Sequence, residues 1–356
     1  MSAARSTGRR ELDEDDVRVR PSRTKSRPRS KDRPQHTDSR PGFVVGVDRG
    51  RFTCVEGDSH DERPHDMEPT RLMAVKSREL GRKGVVVGDR VALVGDLSGA
   101  PDALARIVRV ETRATTLRRT ADDTDPVERI IVANADRLAV VVALAEPAPQ
   151  PRLIDRALVA AFDAGLAPLL VLTKSDLASP AALLADYLAL DVATVVLDRD
   201  SDLSELRSIL RDDLSVFLGS SGVGKSTLVN ALVPGAFRAT GRVNDTTGRG
   251  RHTSTSAVAL PLPGGGWIVD TPGLRSFGLA HVSAEKVIDA FPEFVGGTTA
   301  CPRACSHVEE ECGLDAWVAD GHAGTGGAER LSSLRRVLES LRSSVDDQSG
   351  SSSSSG

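Results

Sequence analysis

The sequence predicts a multidomain chain: a small N-terminal β-barrel of the OB type, a central α/β domain on a parallel sheet, and a C-terminal helical unit around a metal cluster. Three observations carry this. Five short β-patterned runs fall between Phe43 and Val110. From about Arg129, strands alternate with helices and lead into the loop GSSGVGKS at Gly219–Ser226. Three of the four cysteines crowd with one histidine into residues 301–312.

Length and composition allow this. The 356 residues suffice for two or three domains and a sizeable core. Aromatics make up only 3% of the chain, so that core must be aliphatic. The net charge of -4 hides an asymmetry. Residues 1–40 hold twelve Lys/Arg against seven Asp/Glu, or +5, which leaves -9 for the rest. The start, MSAARSTGRRELDEDD, is charged and lacks the apolar core of an export signal. The longest apolar run, Leu138–Ala145, falls far short of the ~18 residues a membrane span needs. A cytoplasmic chain without a membrane partner is expected. Clustered cysteines fit a reducing compartment and a metal site better than a disulfide framework.

The elements follow in order. Residues 1–40 are rich in Arg, Ser and Pro and poor in large apolar side chains. They cannot bury enough surface to offset ordering entropy, so a disordered basic tail is expected. Its run RVRPSRTKSRPRSKDR suits RNA phosphates and equally suits a solubilising tail. GFVVGVD, RFTCVEG, LMAVKS, DRVALVG and ALARIVRVET then read as five strands separated by Gly, Asp and Pro turns, as in an OB-fold spanning residues 41–112. Only Phe43 and Phe52 are aromatic there, a poor base-stacking platform. Arg78, Arg82 and Lys83 are candidate phosphate contacts or ordinary surface charge.

In the central domain, residues 113–280, IIVANADRLAVVVAL reads as one buried strand. PRLIDRALVAAFDAG is a helix, with Pro151 suited to its first turn and Gly165 to its end. APLLVLTKSD is a strand running into a loop, SPAALLADYLAL a helix, VATVVLD a strand, LSELRSILR a helix, and LSVFLG the strand that feeds the phosphate loop. This alternation implies crossover helices on a parallel sheet. Residues 281–342 are the helical metal unit, ending in AERLSSLRRVLESL, and 343–356 a low-complexity, disordered tail.

Gly219, Ser220, Ser221, Gly222, Val223, Gly224, Lys225 and Ser226 match G-x-x-x-x-G-K-[ST] in full, after a strand and before a helix. The glycines let backbone N–H groups wrap phosphate oxygens. Lys225 brings a point charge to the β- and γ-phosphates, the Ser226 hydroxyl is a magnesium ligand, and Thr227 can reach the α-phosphate. Downstream, GGGWIVDTPG places Asp270 near the Mg²⁺ position and gives Gly273 an N–H that can sense a γ-phosphate. TGRGRHTSTS between them reads as a polar switch loop in which Thr253 or Thr255 completes the Mg²⁺ shell. Upstream lies Thr173-Lys174-Ser175-Asp176, a [NT]-K-x-D sequence at a strand end. Its aspartate can accept from guanine N1–H and the exocyclic amine, a donor pair adenine lacks, and the Lys174 stem can cover the base. Thr173 in place of Asn loses one amide hydrogen bond, which predicts weaker affinity. Cys301, Cys305, His307 and Cys312 offer three thiolates and an imidazole, a closed tetrahedral set suited to one structural Zn²⁺.

The order TKSD, GSSGVGKS, GRHTST, DTPG resembles that of a circularly permuted P-loop GTPase. With a barrel before it and Cys/His after it, the chain from about residue 42 to about residue 342 is similar to the ribosome small-subunit-dependent GTPase A family (RsgA, also called YjeQ). RIIVANADRLAVVVAL, LIDRALVAAFDAGLAPLLVLTKSDL and CPRACSHVEEECGL share in the likeness. The resemblance implies GTP and GDP as ligands, hydrolysis stimulated by the 30S subunit, contact with its rRNA, a role in its late maturation, and a monomer. Leu274 stands where Ras-like proteins place a water-orienting Gln, so the family's GxHT-type switch implies His252 as that group, with Lys225 also catalytic. Two departures stand out. No S-A-K loop is present, which leaves Leu197–Ser201 to meet the base through backbone. The metal cluster is one residue tighter, in two places, than C-x₄-C-x-H-x₅-C. The residues alone admit three readings: a GTPase acting on the small subunit, an rRNA-binding assembly factor with negligible turnover, or an ATPase in which TKSD is accidental.

Overall fold

The computed structural model describes residues 36–58, 69–81, 84–120, 128–187, 190, 192–236, 257–271, 282, 284–309 and 311–350. The chain divides into a short unit, Met1–Thr37, and one large unit, Asp38–Gly356. The tail expected at residues 1–40 falls almost wholly outside the described residues, as do Arg82 and Lys83.

The five expected barrel strands form: β1 (Arg40–Asp48), β2 (Arg51–Glu56), β3 (Arg71–Lys76), β4 (Arg90–Gly95) and β5 (Ala105–Val110). Their order is β1-β2-β3-β5-β4, and β4 closes back on β1. All neighbours are antiparallel except β3 and β5. Val44, Phe52, Leu72, Leu93 and Ile107 fill the interior. Alternating apolar residues point into a closed barrel, which leaves no open sheet edge.

A hairpin follows, β6 (Thr116–Thr120) with β7 (Glu128–Ala133). The single strand expected over IIVANADRLAVVVAL is therefore two, because β8 begins afresh at Arg137 and runs to Ala143. The break is made by Asn134, which sits at φ 53. Its amide donates to Gly88 O (2.8 Å) and accepts from Ala114 N (2.8 Å). Asp136 then accepts from Leu214 N at 2.7 Å. Gly88 is at φ 90, and a Cβ there would lie 1.8 Å from Ala133 O, so only glycine allows this approach.

Beyond the hairpin come α1 (Pro151–Ala164), β9 (Ala167–Thr173), α2 (Ala181–Tyr187), β10 (Ala193–Val196), α3 (Ser204–Leu210), β11 (Leu214–Leu218) and α4 (Lys225–Leu232). Pro151 opens α1, and Gly165, at φ 68, caps it with its N–H on Ala161 O and Phe162 O. The sheet is completed by β12 (Val258–Pro261), which the sequence pattern does not predict, and β13 (Trp267–Asp270). Its order is β10-β9-β8-β11-β13-β12, parallel except for β12. Along β8, Leu138, Val140 and Val142 enter one core while Ala139, Val141 and Ala143 enter the other. Both faces are buried, as a doubly covered parallel sheet requires.

Barrel and parallel sheet are not separate layers. β12 pairs with β1, so eleven strands form one continuous sheet. The larger core also spans regions: it contains Phe43 of the barrel, Trp267 of the sheet, and Phe294 and Leu314 of the C-terminal unit. That unit holds α5 (Ala284–Asp289), α6 (Pro292–Val295), a 3₁₀ turn (Gly296–Ala300), α7 (Gly313–Ala319) and α8 (Gly327–Gly350). Residues 343–350, expected as tail, continue α8. No proline interrupts them, so the amide ladder propagates. Arg336 on α8 reaches Asp155 on α1 (3.5 Å) and Asp186 O on α2 (2.7 Å), and lies 4.5 Å over the Tyr187 ring. Among the described residues, no helix is long and apolar enough to cross a membrane.

Candidate functional site

From β8 the chain steps outward to β9 and β10, then returns on the other side of β8 as β11. Strand order reverses there, and ligands of open parallel sheets bind beyond the carboxyl ends of strands at such a point. The phosphate loop leaves β11, TKSD leaves β9, and Asp270 ends β13. Three motifs distant in sequence thus share one sheet edge.

The loop's glycines meet conformational demands. Gly222 lies at φ 84 and Gly224 at φ 88, while a Cβ on Gly219 would stand 2.8 Å from Val141 O. Val223 is buried, and Ser220 is half-buried beside an exposed Ser221. Lys225 begins α4, and its ammonium pairs with the Asp270 carboxylate. Ser226 and Thr227, in the first turn, are exposed and so open to a ligand.

Thr173 ends β9, and its hydroxyl points to the neighbouring loop. It donates to Val223 O at 2.7 Å, with Val142 O at 3.3 Å. The TKSD loop and the glycine-rich loop are stitched together by this contact. Lys174, at φ 60, donates from Nζ to Glu146 O. Ser175 N donates to Leu197 O at 3.1 Å, which holds the loop against the end of β10. Asp176 is exposed. In the neighbouring loop, Asp198 accepts from Ser201 Oγ (2.7 Å) and Asp200 N (2.9 Å). The Ser201 bond, then the Asp200 amide, lowers the Asp198 pKa. These side chains satisfy one another. Glu146 and Pro147, after β8, belong to no motif in the sequence. Pro147 Cδ would lie 3.5 Å from a Cβ on Gly222, so this segment walls the pocket. Its place beyond β8, at the switch point, was the available signal. His252, Thr253, Thr255, Gly273 and Leu274 lie outside the described residues.

The second site is local. Ligand atoms of Cys301, Cys305, His307 and Cys312 all lie within 4.8 Å of one another. Cys301 Sγ is 3.8 Å from Cys312 Sγ and 3.4 Å from His307 Nδ1, and Cys312 Sγ is 3.7 Å from that nitrogen. A Zn–S length of about 2.3 Å implies tetrahedral edges of about 3.8 Å, so the donor set fits one zinc ion. The tightened spacing is absorbed by left-handed turns at Ala304 (φ 60) and His307 (φ 66). Burial pushes the Cys305 thiol up to about 12 and raises that of Cys301, while it lowers the His307 pKa and so favours the neutral, ligating imidazole. From α8, Arg335 donates to His307 O (3.0 Å) and forks onto Asp315 of α7 at 2.8 and 2.6 Å.

Comparison with known proteins agrees with this geometry. Residues 110–280 match the family model described as RsgA GTPase. A Gemmatimonas aurantiaca protein named small ribosomal subunit biogenesis GTPase RsgA is 40% identical over 271 residues, covering 74% of this chain and 88% of the relative. A protein of the same name from Chlorobaculum parvum is 36% identical, covering 82% of this chain and 97% of the relative. Among solved structures, YjeQ from Thermotoga maritima superposes with a TM-score of 0.59 at 25% identity, covering 85% of this chain and 99% of that one. YloQ, described as a circularly permuted GTPase, has the same fold at a TM-score of 0.57 and 20% identity, covering 88% of this chain and 98% of its own. Barrel, permuted sheet and sequence identity together place the chain in the RsgA GTPase family, as a GTP hydrolase whose family implies a guanine nucleotide and Mg²⁺.

Proposed function

We propose that this GTPase binds the 30S ribosomal subunit through its rRNA, assists late maturation, and hydrolyses GTP faster when the subunit is bound. The observation that carries the reading is the Thr173–Val223 stitch, which sets a guanine-type loop beside a phosphate loop at one sheet edge. The relatives' printed names support the ribosomal part. The chain acts as a cytoplasmic monomer.

Residue roles follow from chemistry. Asp176 selects guanine by accepting from N1–H and the exocyclic amine. The Lys174 stem covers the base, and the Ser175 amide fixes the loop. Gly219–Gly224 direct N–H groups at phosphate oxygens, Lys225 neutralises charge on the β- and γ-phosphates, and Thr227 reaches the α-phosphate. Ser226 and Asp270 would hold Mg²⁺, with Thr253 or Thr255; when bound, the ion offsets charge on the transferring phosphoryl group. Gly273 senses the γ-phosphate, and His252 orients the attacking water. Cys301, Cys305, His307 and Cys312 hold one structural zinc. GTP turnover measured with and without purified 30S subunits tests the proposal. Strong stimulation is expected, and an unchanged rate would refute the ribosomal part. His252→Ala should lower the stimulated rate while sparing GTP affinity.

A further inference from the structure

One row of residues crosses the sheet where barrel and GTPase meet. Gly46 of β1 faces Val258 of β12. Val258 faces Asp270 of β13, and Asp270 faces Phe217 of β11. Asp270 is the carboxylate that holds the phosphate-loop lysine. With strands spaced about 4.8 Å apart, the barrel backbone at Gly46 stands only about 10 Å from this aspartate. Side chains reinforce the seam. Phe43 of β1 packs on Trp267 of β13 with ring centroids 5.2 Å apart, and both are buried.

β1 is built so that it can respond without opening the barrel. Its first half, Arg40–Phe43, pairs with β4 and closes the barrel. Its second half turns the same edge toward β12 at Gly46. Between the halves the register with β2 shifts, from Val44↔Cys54 to Gly46↔Thr53, and leaves Val45 as an extra residue. Such a bulge leaves one residue unpaired and bends the strand, which sets the stretch facing β12 apart from the stretch that closes the barrel.

We propose that β1 of the barrel reads the nucleotide state through β12, so that binding at the barrel and at the phosphate loop are energetically linked. The two-state element is the Lys225–Asp270 pair. GDP offers the ammonium β-phosphate oxygens alone, whereas GTP adds γ-phosphate oxygens, which draw it further from Asp270. Releasing the carboxylate alters the end of β13, and Val258 is the residue that faces both that end and β1. By reciprocity, anything that shifts β1 must shift nucleotide preference by the same factor.

Hydrogen exchange of the full zinc-loaded chain, with GDP or with a non-hydrolysable GTP analogue and Mg²⁺, tests this directly. Amides of Val45–Asp48 should differ severalfold in exchange between the two nucleotides, whereas those of β3, across the barrel, should not. A staple supplies the energetic half. Gly46→Cys with Val258→Cys, in a Cys54→Ser background, joins directly opposed residues whose Cα separation of about 5 Å suits a disulfide. Oxidation should shift the ratio of GTP-analogue to GDP affinity by about fivefold or more, and reduction should restore it. Equal β1 exchange in both nucleotides overturns the proposal whatever the staple does. So does a ratio that the closed staple leaves within about twofold, because motion would then carry no free energy. If the staple does not form or the variant does not fold, the wild-type exchange result decides alone.

Discussion

The nucleotide pocket and the thiolate cluster are built in opposite ways. The cluster draws all its ligands from residues 301–312 and needs only two left-handed turns to converge. The pocket draws Thr173 and Asp270 from two strand ends and Lys225 from the start of α4, and joins them by two contacts, Thr173–Val223 and Lys225–Asp270. A local site of this kind would rest on its ion, since all four donors sit on one short loop. A distributed site rests on the sheet, which stays folded when one functional side chain is removed. The two should therefore fail differently.

The largest effect should come from removing the metal. Structural zinc contributes on the order of 10 kcal/mol to small sites. Chelation, or Cys312→Ser, should abolish stoichiometric zinc and expose the amides of α7 to exchange, while GTP still binds. Loss of the whole chain in one step would erase the contrast between a local and a distributed site. Next is Asp176→Ala, an exposed change that leaves the sheet intact. It should cut the preference for GTP over ATP by about 100-fold, as expected when a paired polar contact to the base is lost. Survival of that preference in competition binding would remove Asp176 from base selection.

A third change tests the joint between the two regions. Arg336 brings α8 onto α1 and α2 through Asp155 and Tyr187. Asp155 also accepts from Tyr187 Oη at 3.0 Å. Burial raises the Asp155 pKa in spite of Arg336 and Tyr187, so the folded chain holds its proton more tightly than the unfolded chain. By linkage, stability falls as pH rises from the unfolded carboxyl value, about 3.9, through the raised folded value. Arg336→Met removes the opposing charge, and should cost about 2 kcal/mol at neutral pH and steepen that fall. Asp155→Asn should flatten it. Denaturant titrations across this range measure both, and a slope unchanged in Asp155→Asn would mean that other groups set it.

How far these sites could be read in advance follows the same contrast. The Cys/His cluster, the glycines of the G-x-x-x-x-G-K-S loop and the five barrel strands were legible because each depends on residues within a dozen positions. The break at Asn134 was hidden by apolar runs on both sides, although N-A-D carries the polar atoms that make it. β12 offered only Val-Ala-Leu-Pro, and its partner in β1 lies some two hundred residues away. The Arg336–Asp155 contact is likewise invisible to any local pattern. Thr173 was recognised, but not the direction of its hydroxyl, which tertiary packing alone decides.

That direction yields the smallest and most discriminating prediction. If Thr173 served the base, its loss would alter guanine selectivity. In the structure its hydroxyl instead donates to Val223 O, a phosphate-loop carbonyl, from a nearly buried position. Thr173→Val keeps the shape and deletes the donor. A buried neutral hydrogen bond contributes about 1 kcal/mol, so affinity for GTP and for GDP should fall together by about fivefold. The GTP-to-ATP ratio should stay where it was, because the loop that grips phosphate is loosened equally for either base. Isothermal titration with the three nucleotides separates the cases: a fall confined to guanine nucleotides would return Thr173 to the base, whereas a common fall keeps it as the stitch between the two loops.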